Sequence, residues 1–233
     1  MVRERQHTDM EILYEDNHLL AVNKPAGIST MGASDADETV VRMAKAYIKQ
    51  KYQKPGNVYL GVVSRLDKPV TGVLLLARTS KAAARLSRNF RERDVRKIYW
   101  GIVTASDALS DDGTLKHWIR KNESQRRMEV CRDSAPGAQH ASLNYRVIHS
   151  STRQAWVRIE LKTGRKHQIR VQFSAIGCPL VGDQKYASRT SFPKGIALHA
   201  RHLELAHPVR DSQIRLTAPL PRYWPKPPRQ FDE

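Results

Sequence analysis

The sequence predicts a strand-rich α/β domain, on three observations. Short runs of β-branched and aromatic residues recur along the chain, other segments repeat apolar residues at three- and four-residue intervals, and 40% hydrophobic content over 233 residues suffices for a core. One large domain or two lobes sharing a sheet fits that length. No repeat or linker divides the chain cleanly.

Taken in order, ILYED and LLAVNKP near the start predict two short strands separated by Asn17 and closed by the Pro25-Ala26-Gly27 turn. Residues 38–50 predict a helix, since Val41, Ala44 and Ile48 repeat with helical spacing. The apolar run 73–78, bracketed by Gly72 and Ser80, predicts a strand covered on both faces. Ser80 is expected to cap the next helix, with Ala82, Leu86 and Phe90 inward and arginines outward.

KIYWGIVTA from residue 97, SLNYRVIHS and AWVRIELKT predict strands; in the last, Val157, Ile159 and Leu161 alternate with charged residues. RKHQIRVQFSAIG at 165–177 predicts a helix with Ile169, Phe173 and Ile176 as its core stripe and Arg170 off it. The polar stretch 106–140 is expected to form loops or an edge hairpin facing a partner. The proline-rich end is expected to pack only through Tyr223 and Trp224.

Forty Lys and Arg against 23 Asp and Glu give a net charge of +17, which points to a polyanionic partner, nucleic acid by default. Two clusters, 85–97 and 116–132, each hold six cations and two acids. No apolar run approaches the ~18 residues needed to span a membrane, and no secretory signal opens the sequence. Cys131 and Cys178 lack metal or disulfide spacing, so a reducing, cytoplasmic setting is expected. His199 and His202 stand three residues apart, but no acid completes a metal site, and none is expected.

Asp67 is the residue that asks for an explanation. It sits between Arg65 and Lys68 in VSRLDKPVTG, a loop stiffened by Pro69 and anchored by the apolar run that follows. A partly buried carboxylate needs a cation to stay ionised, and the candidates are Arg65 and Arg170.

The same residues carry a resemblance. SRLDKPVTGVLLLART at 64–79 resembles the HRLDxxTSGLLLLAK signature of the RluA family of pseudouridine synthases. LLAVNKPAGI at 19–28, RKIYWGIV at 96–103, LKTGRKHQIRVQFSAIGCPLVGDQKY at 161–186 and LHARHLELAHP at 198–208 are similar to further family blocks, in the family's order. The resemblance implies a single α+β catalytic domain over 11–224, with a mixed, largely antiparallel central sheet and flanking helices. Residues 1–10 would be an extension and 225–233 a tail.

It also implies an activity: uridine in RNA is converted to pseudouridine by a monomer, without cofactor or metal. Asp67 is then the nucleophile, Arg170 its charge partner, and Tyr99 the residue that stacks on the base and handles the proton at carbon 5. Leu161 would wall the uracil pocket, and Arg65 would act on the RNA, occupying the space of a flipped nucleotide. Lys24, Arg165 and His167 stand in matching motifs and are expected to bind substrate.

Ser64, Val70, Thr71, Lys166 and Gln172 depart from the family pattern, which bears on the RNA contact rather than the chemistry; Thr71 keeps a hydroxyl able to close the loop. The family's small preceding RNA-binding domain has no room before residue 11, so a compact transfer or ribosomal RNA stem-loop, read by the catalytic domain alone, is expected. The rivals are a non-catalytic RNA binder on the same fold, to which a carboxylate in a basic cleft is useless, and a uracil-releasing glycosidase, for which no second acid is identifiable.

Overall fold

The structure, a computed structural model, describes residues 10–32 and 37–228; the expected extension, apart from Met10, and the end of the expected tail lie outside them. Eleven strands form one sheet: β1 (Ile12–Glu15), β2 (Leu19–Lys24), β3 (Gly61–Val62), β4 (Thr71–Ala77), β5 (Val95–Thr104), β6 (Asp112–Asn122), β7 (Arg127–Cys131), β8 (Gln139–Ser150), β9 (Gln154–Leu161), β10 (Leu198–Ala206) and β11 (Gln213–Thr217). The order is β1-β2-β4-β10-β5-β9-β8-β6-β7, with β3 on β4 and β11 on β10. Strand β10 runs parallel to β4 and antiparallel to β5, which makes the sheet mixed and largely antiparallel.

Three helices cover it. Helix α1 (Val40–Lys51) packs Val40, Ala44 and Ile48 on Leu74 and Leu76 of β4, whereas α2 (Ser80–Glu92) packs Ala82 and Leu86 on Val73, Leu75 and Ala77 of the opposite face. Strand β4 is therefore buried along its whole length, as its unbroken apolar run requires. Helix α3 (Gln168–Ala175) covers the β5-β9-β8-β6 half on α2's side, with Ile169 and Phe173 against Leu143, Tyr145, Val157 and Ile159. Lys97, Tyr99 and Leu161 rise between α2 and α3.

Several expectations need correction. The cap of α2 is Thr79, whose backbone is extended and whose hydroxyl accepts from Ala82 N; Ser80 is already helical. In α1 the buried triplet begins at Val40, and Val41 is only partly buried. Helix α3 starts three residues later than expected, because Gln168 ties down the preceding turn through Thr163 and the backbone of Arg165. By contrast, the 106–140 region, expected as loops or an edge hairpin, does form the hairpin: an eleven-residue strand, β6, pairs with β7 at the sheet edge. Its inward positions alternate Leu115, His117 and Ile119, and that histidine breaks the apolar signal. At the end of the chain Leu220 packs alongside Tyr223 and the buried Trp224, over Trp100, Ile102 and Trp156.

Close approach of β4 to β10 needs Gly72: its φ is +110°, and a Cβ there would lie 2.2 Å from the carbonyl oxygen of Ala200. Beside it, the buried His199 donates from Nε2 to Ala218 O (3.1 Å), so Nδ1 accepts from the Thr71 hydroxyl (2.8 Å). The hydroxyl kept at position 71 thus ties the exit of the Asp67 loop to the C-terminal segment, and His202 bonds separately to Thr217.

Burial lowers the His199 pKa to about 4. Since an unfolded histidine titrates near 6.5, the unfolded chain binds the extra proton first as pH falls. Stability from this group is complete above about 6.5 and lost on descending to about 4, roughly 3 kcal/mol in all. Urea midpoints measured across that window should fall steadily; a flat profile would contradict the neutral, buried imidazole.

Candidate active site

The loop before β4 is fixed from several sides. The Thr30 hydroxyl donates to Leu66 O (3.0 Å) and accepts from Leu66 N (3.2 Å). Gly27 N donates to Lys68 O (2.8 Å), Ile196 N to Pro69 O (3.2 Å), and Val70 N closes a turn onto Asp67 O (3.0 Å). A loop so bonded holds its carboxylate in one place without burying it, and the Asp67 side chain is 27% exposed.

Lys24 belongs to this clamp and not to a substrate surface, contrary to expectation. It is completely buried, and its ammonium donates to Pro25 O (2.8 Å), Lys68 O (3.2 Å) and Val70 O (2.8 Å). Burial lowers its pKa to about 8, with the Asp67 charge opposing. Lys24→Met should strand those carbonyls, cost about 1–3 kcal/mol and loosen the loop. Urea unfolding together with turnover checks this, and an unchanged midpoint would refute the clamp.

The cation that meets Asp67 is Arg170. Its Nη1 donates to Asp67 Oδ2 at 3.0 Å, across more than a hundred residues of sequence. Arg65 and Lys68 are exposed, and among the described residues neither pairs with Asp67. Although Arg170 lies off the apolar stripe of α3, it is not a surface residue: it is 5% exposed and its guanidinium lies over the Tyr186 ring. Its Nε and Nη2 grip the buried Asp183 in a two-pronged pair at 2.7 and 2.8 Å. Burial works against its charge, but the bonds and charge of Asp183, and then Asp67, overcome this and raise its pKa.

His167 opens α3 in a left-handed conformation, φ 52°. Its Nδ1 lies 2.8 Å from the Tyr186 hydroxyl, which also accepts from Met128 N. A phenol proton donated to Nδ1 satisfies every group and leaves Nε2–H facing Asp67 Oδ2, 3.7 Å away. Burial, only partly offset by Asp67, lowers the His167 pKa to about 4 and keeps it neutral at pH 7.

A small cavity of about 70 Å³ is lined by Asp67, Tyr99, Leu161 and Arg170. It shares Arg65, Leu66, Asp67, Arg165 and His167 with a larger groove of about 710 Å³. That groove presents Arg65, Lys68, Arg165 and Lys166 at its walls, with Ser64 among its lining. Burial, and secondarily the Asp67 charge, push the Tyr99 phenol upward, so it stays protonated at neutral pH. Arg165 is exposed at the rim and steadied by a bond from Nε to His140 O (3.2 Å).

Asp183 and Tyr186 were not among the expected site residues, nor was Thr30. The GDQKY end of the fourth block contained the first two, but nothing local distinguishes them until the arginine fork is seen. Gln172, one of the departures expected to bear on RNA contact, is instead internal: it is fully buried and donates to Leu115 O and Ala141 O. Val70 is likewise a core residue.

A carboxylate at the mouth of a groove walled by Arg65, Lys68, Arg165 and Lys166 is the arrangement of a protein that takes a polyanion. A family model described as RNA pseudouridylate synthase matches residues 18–175. An RNA pseudouridine synthase of Synechocystis described as uncharacterized is 35% identical over 95% of this chain and 68% of its own. Ribosomal large subunit pseudouridine synthase D of Pseudomonas aeruginosa is 34% identical over 93% and 70%. In three dimensions, human RNA pseudouridylate synthase domain containing 4 superposes with a TM-score of 0.75 at 28% identity, covering 91% of this chain and 89% of that one. The chain belongs to the RNA pseudouridylate synthase family, in the RluA group that the sequence blocks resemble, and is an isomerase that makes pseudouridine in RNA.

Proposed function

We propose that Asp67 is the nucleophile, acting on a uridine of a ribosomal or transfer RNA stem-loop. The observation that carries this reading is the Asp67–Arg170–Asp183 arrangement: one buried guanidinium, anchored by one carboxylate, offers its remaining edge to the other at the mouth of a basic groove. The anchored guanidinium holds a hydrogen bond to Asp67 and orients its carboxylate toward the groove.

Attack by Asp67 at the ribose anomeric carbon breaks its bond to uracil N1. The base turns in the pocket, carbon 5 bonds to the anomeric carbon, and Asp67 leaves. Carbon 5 then loses a proton and N1 gains one, so atoms balance with no outside reactant. A phenol held protonated suits Tyr99 to stacking on the base. Leu161 would form the apolar wall, Arg65 and Arg165 at the rim would contact the RNA, and His167 Nε2–H faces Asp67.

Relatives named for the ribosomal large subunit favour ribosomal RNA over transfer RNA. The test is incubation with each RNA pool tritiated at uracil carbon 5, following tritium released to water together with free uracil. Release without base loss, strongest on large-subunit RNA, is the expected result. Free uracil would indicate a glycosidase, and no exchange on any RNA would indicate a bare binder.

A further inference from the structure

Lys97 is a second lysine in a partly buried setting, and its surroundings are the reverse of those of Lys24. It lies two residues before Tyr99 on β5, hence on the same face, paired across to Leu161 on one side and Leu203 on the other. Its ammonium reaches the groove wall at Gly164, where an added Cβ would lie 3.2 Å from Nζ. Lys97 also lines a small recess with Ser64, Arg65, Leu66 and Tyr99, beneath the nucleophile loop.

Lys24 has three carbonyl acceptors. Among the described residues, the Lys97 ammonium has neither a hydrogen bond nor an ion pair. Three acids share a neighbouring recess with Lys97, and among the described residues none lies within ion-pair distance of it: Glu160 pairs with Arg96 and Lys162, Glu204 pairs with Arg96 and Arg215, and Asp94 is exposed. Arg93, the C-cap of α2, lines that recess with Lys97, and burial, then the Arg93 charge, lowers the Lys97 pKa. A half-buried ammonium that reaches the groove wall at Gly164, with no carboxylate within ion-pair distance among the described residues, is a site for an anion.

We propose that Lys97 binds a backbone phosphate of the RNA, next to the target nucleotide, and so seats the flipped base against Tyr99. A ligand phosphate would supply the acceptors that the protein withholds, and the distance along β5 matches a contact just outside the base pocket. The identity of the polymer rests on the isomerase reading above; the anion site itself rests on the geometry.

The test is the salt dependence of binding to a labelled RNA hairpin with a uridine loop. One lost phosphate contact lowers the slope of log K against log salt by about 0.7 to 0.9. Lys97→Met should show that drop, with about fivefold weaker binding at 0.1 M salt, and Lys97→Arg should keep the wild-type slope. A wild-type slope in Lys97→Met overturns the proposal. Should that variant not fold, reductive methylation of wild-type protein, read by mass spectrometry, gives the answer: RNA should protect the Lys97 amine, and equal methylation with and without RNA overturns it. Tritium release by the wild type reports separately on the isomerase reading, so the two can fail independently.

Discussion

Asp67→Asn should yield a folded protein that binds RNA and releases no tritium from uracil carbon 5. The amide keeps the shape of the carboxylate and an oxygen for Arg170 Nη1, which lies 3.0 Å from Oδ2 in the structure. What it loses is the negative charge that the proposed nucleophilic role requires, so the loss of turnover should be on the order of 10⁴-fold or more. Binding should be equal to or tighter than wild type, because a negative charge has been taken out of a groove walled by Arg65, Lys68, Arg165 and Lys166. Tritium release within tenfold of wild type would remove Asp67 from the chemistry and take the proposed site with it.

Arg170→Met should cost stability as well as activity. Its guanidinium is the partner of two carboxylates, and Asp183 is 2% exposed with no route to solvent of its own. Removing one member of a buried ion pair leaves the other charge stranded, which typically costs about 3–5 kcal/mol. The cause can be separated from lost packing, since methionine retains much of the stem's bulk. Adding Asp183→Asn to Arg170→Met neutralises the stranded group and should restore part of the urea midpoint, without restoring turnover. If the double variant is no more stable than Arg170→Met, the loss arises elsewhere, for example at the Tyr186 ring beneath the guanidinium.

How much of this could be read from the residues depends on the range over which each signal acts. The two-sided burial of β4 was visible because Val73 to Ala77 run apolar without a break, as a strand covered by α1 on one face and α2 on the other requires. Strand β9 announced its inner face through Val157, Ile159 and Leu161. Strand β6 did not, because His117 takes an inward position by bonding to the buried Gln172, a partner 55 residues away. A pattern that depends on a distant hydrogen bond looks locally like a polar loop.

Within the site the division follows the same rule. A carboxylate on a stiff loop before a buried strand, set in a chain with a net charge of +17, belongs to the linear sequence, as do the motif blocks that resemble one family. The choice of Arg170 over Arg65 as its partner belongs to the fold, which brings α3 to the loop. So do the conversion of Lys24 from an expected RNA contact into a clamp, the recruitment of Asp183, and the unpaired state of Lys97. Residue types and short-range spacing determine what a segment can do, because they act through neighbours along the chain. Which charge meets which counter-charge is a matter of a few ångströms between segments up to a hundred residues apart, and only the packed sheet and helices set those distances.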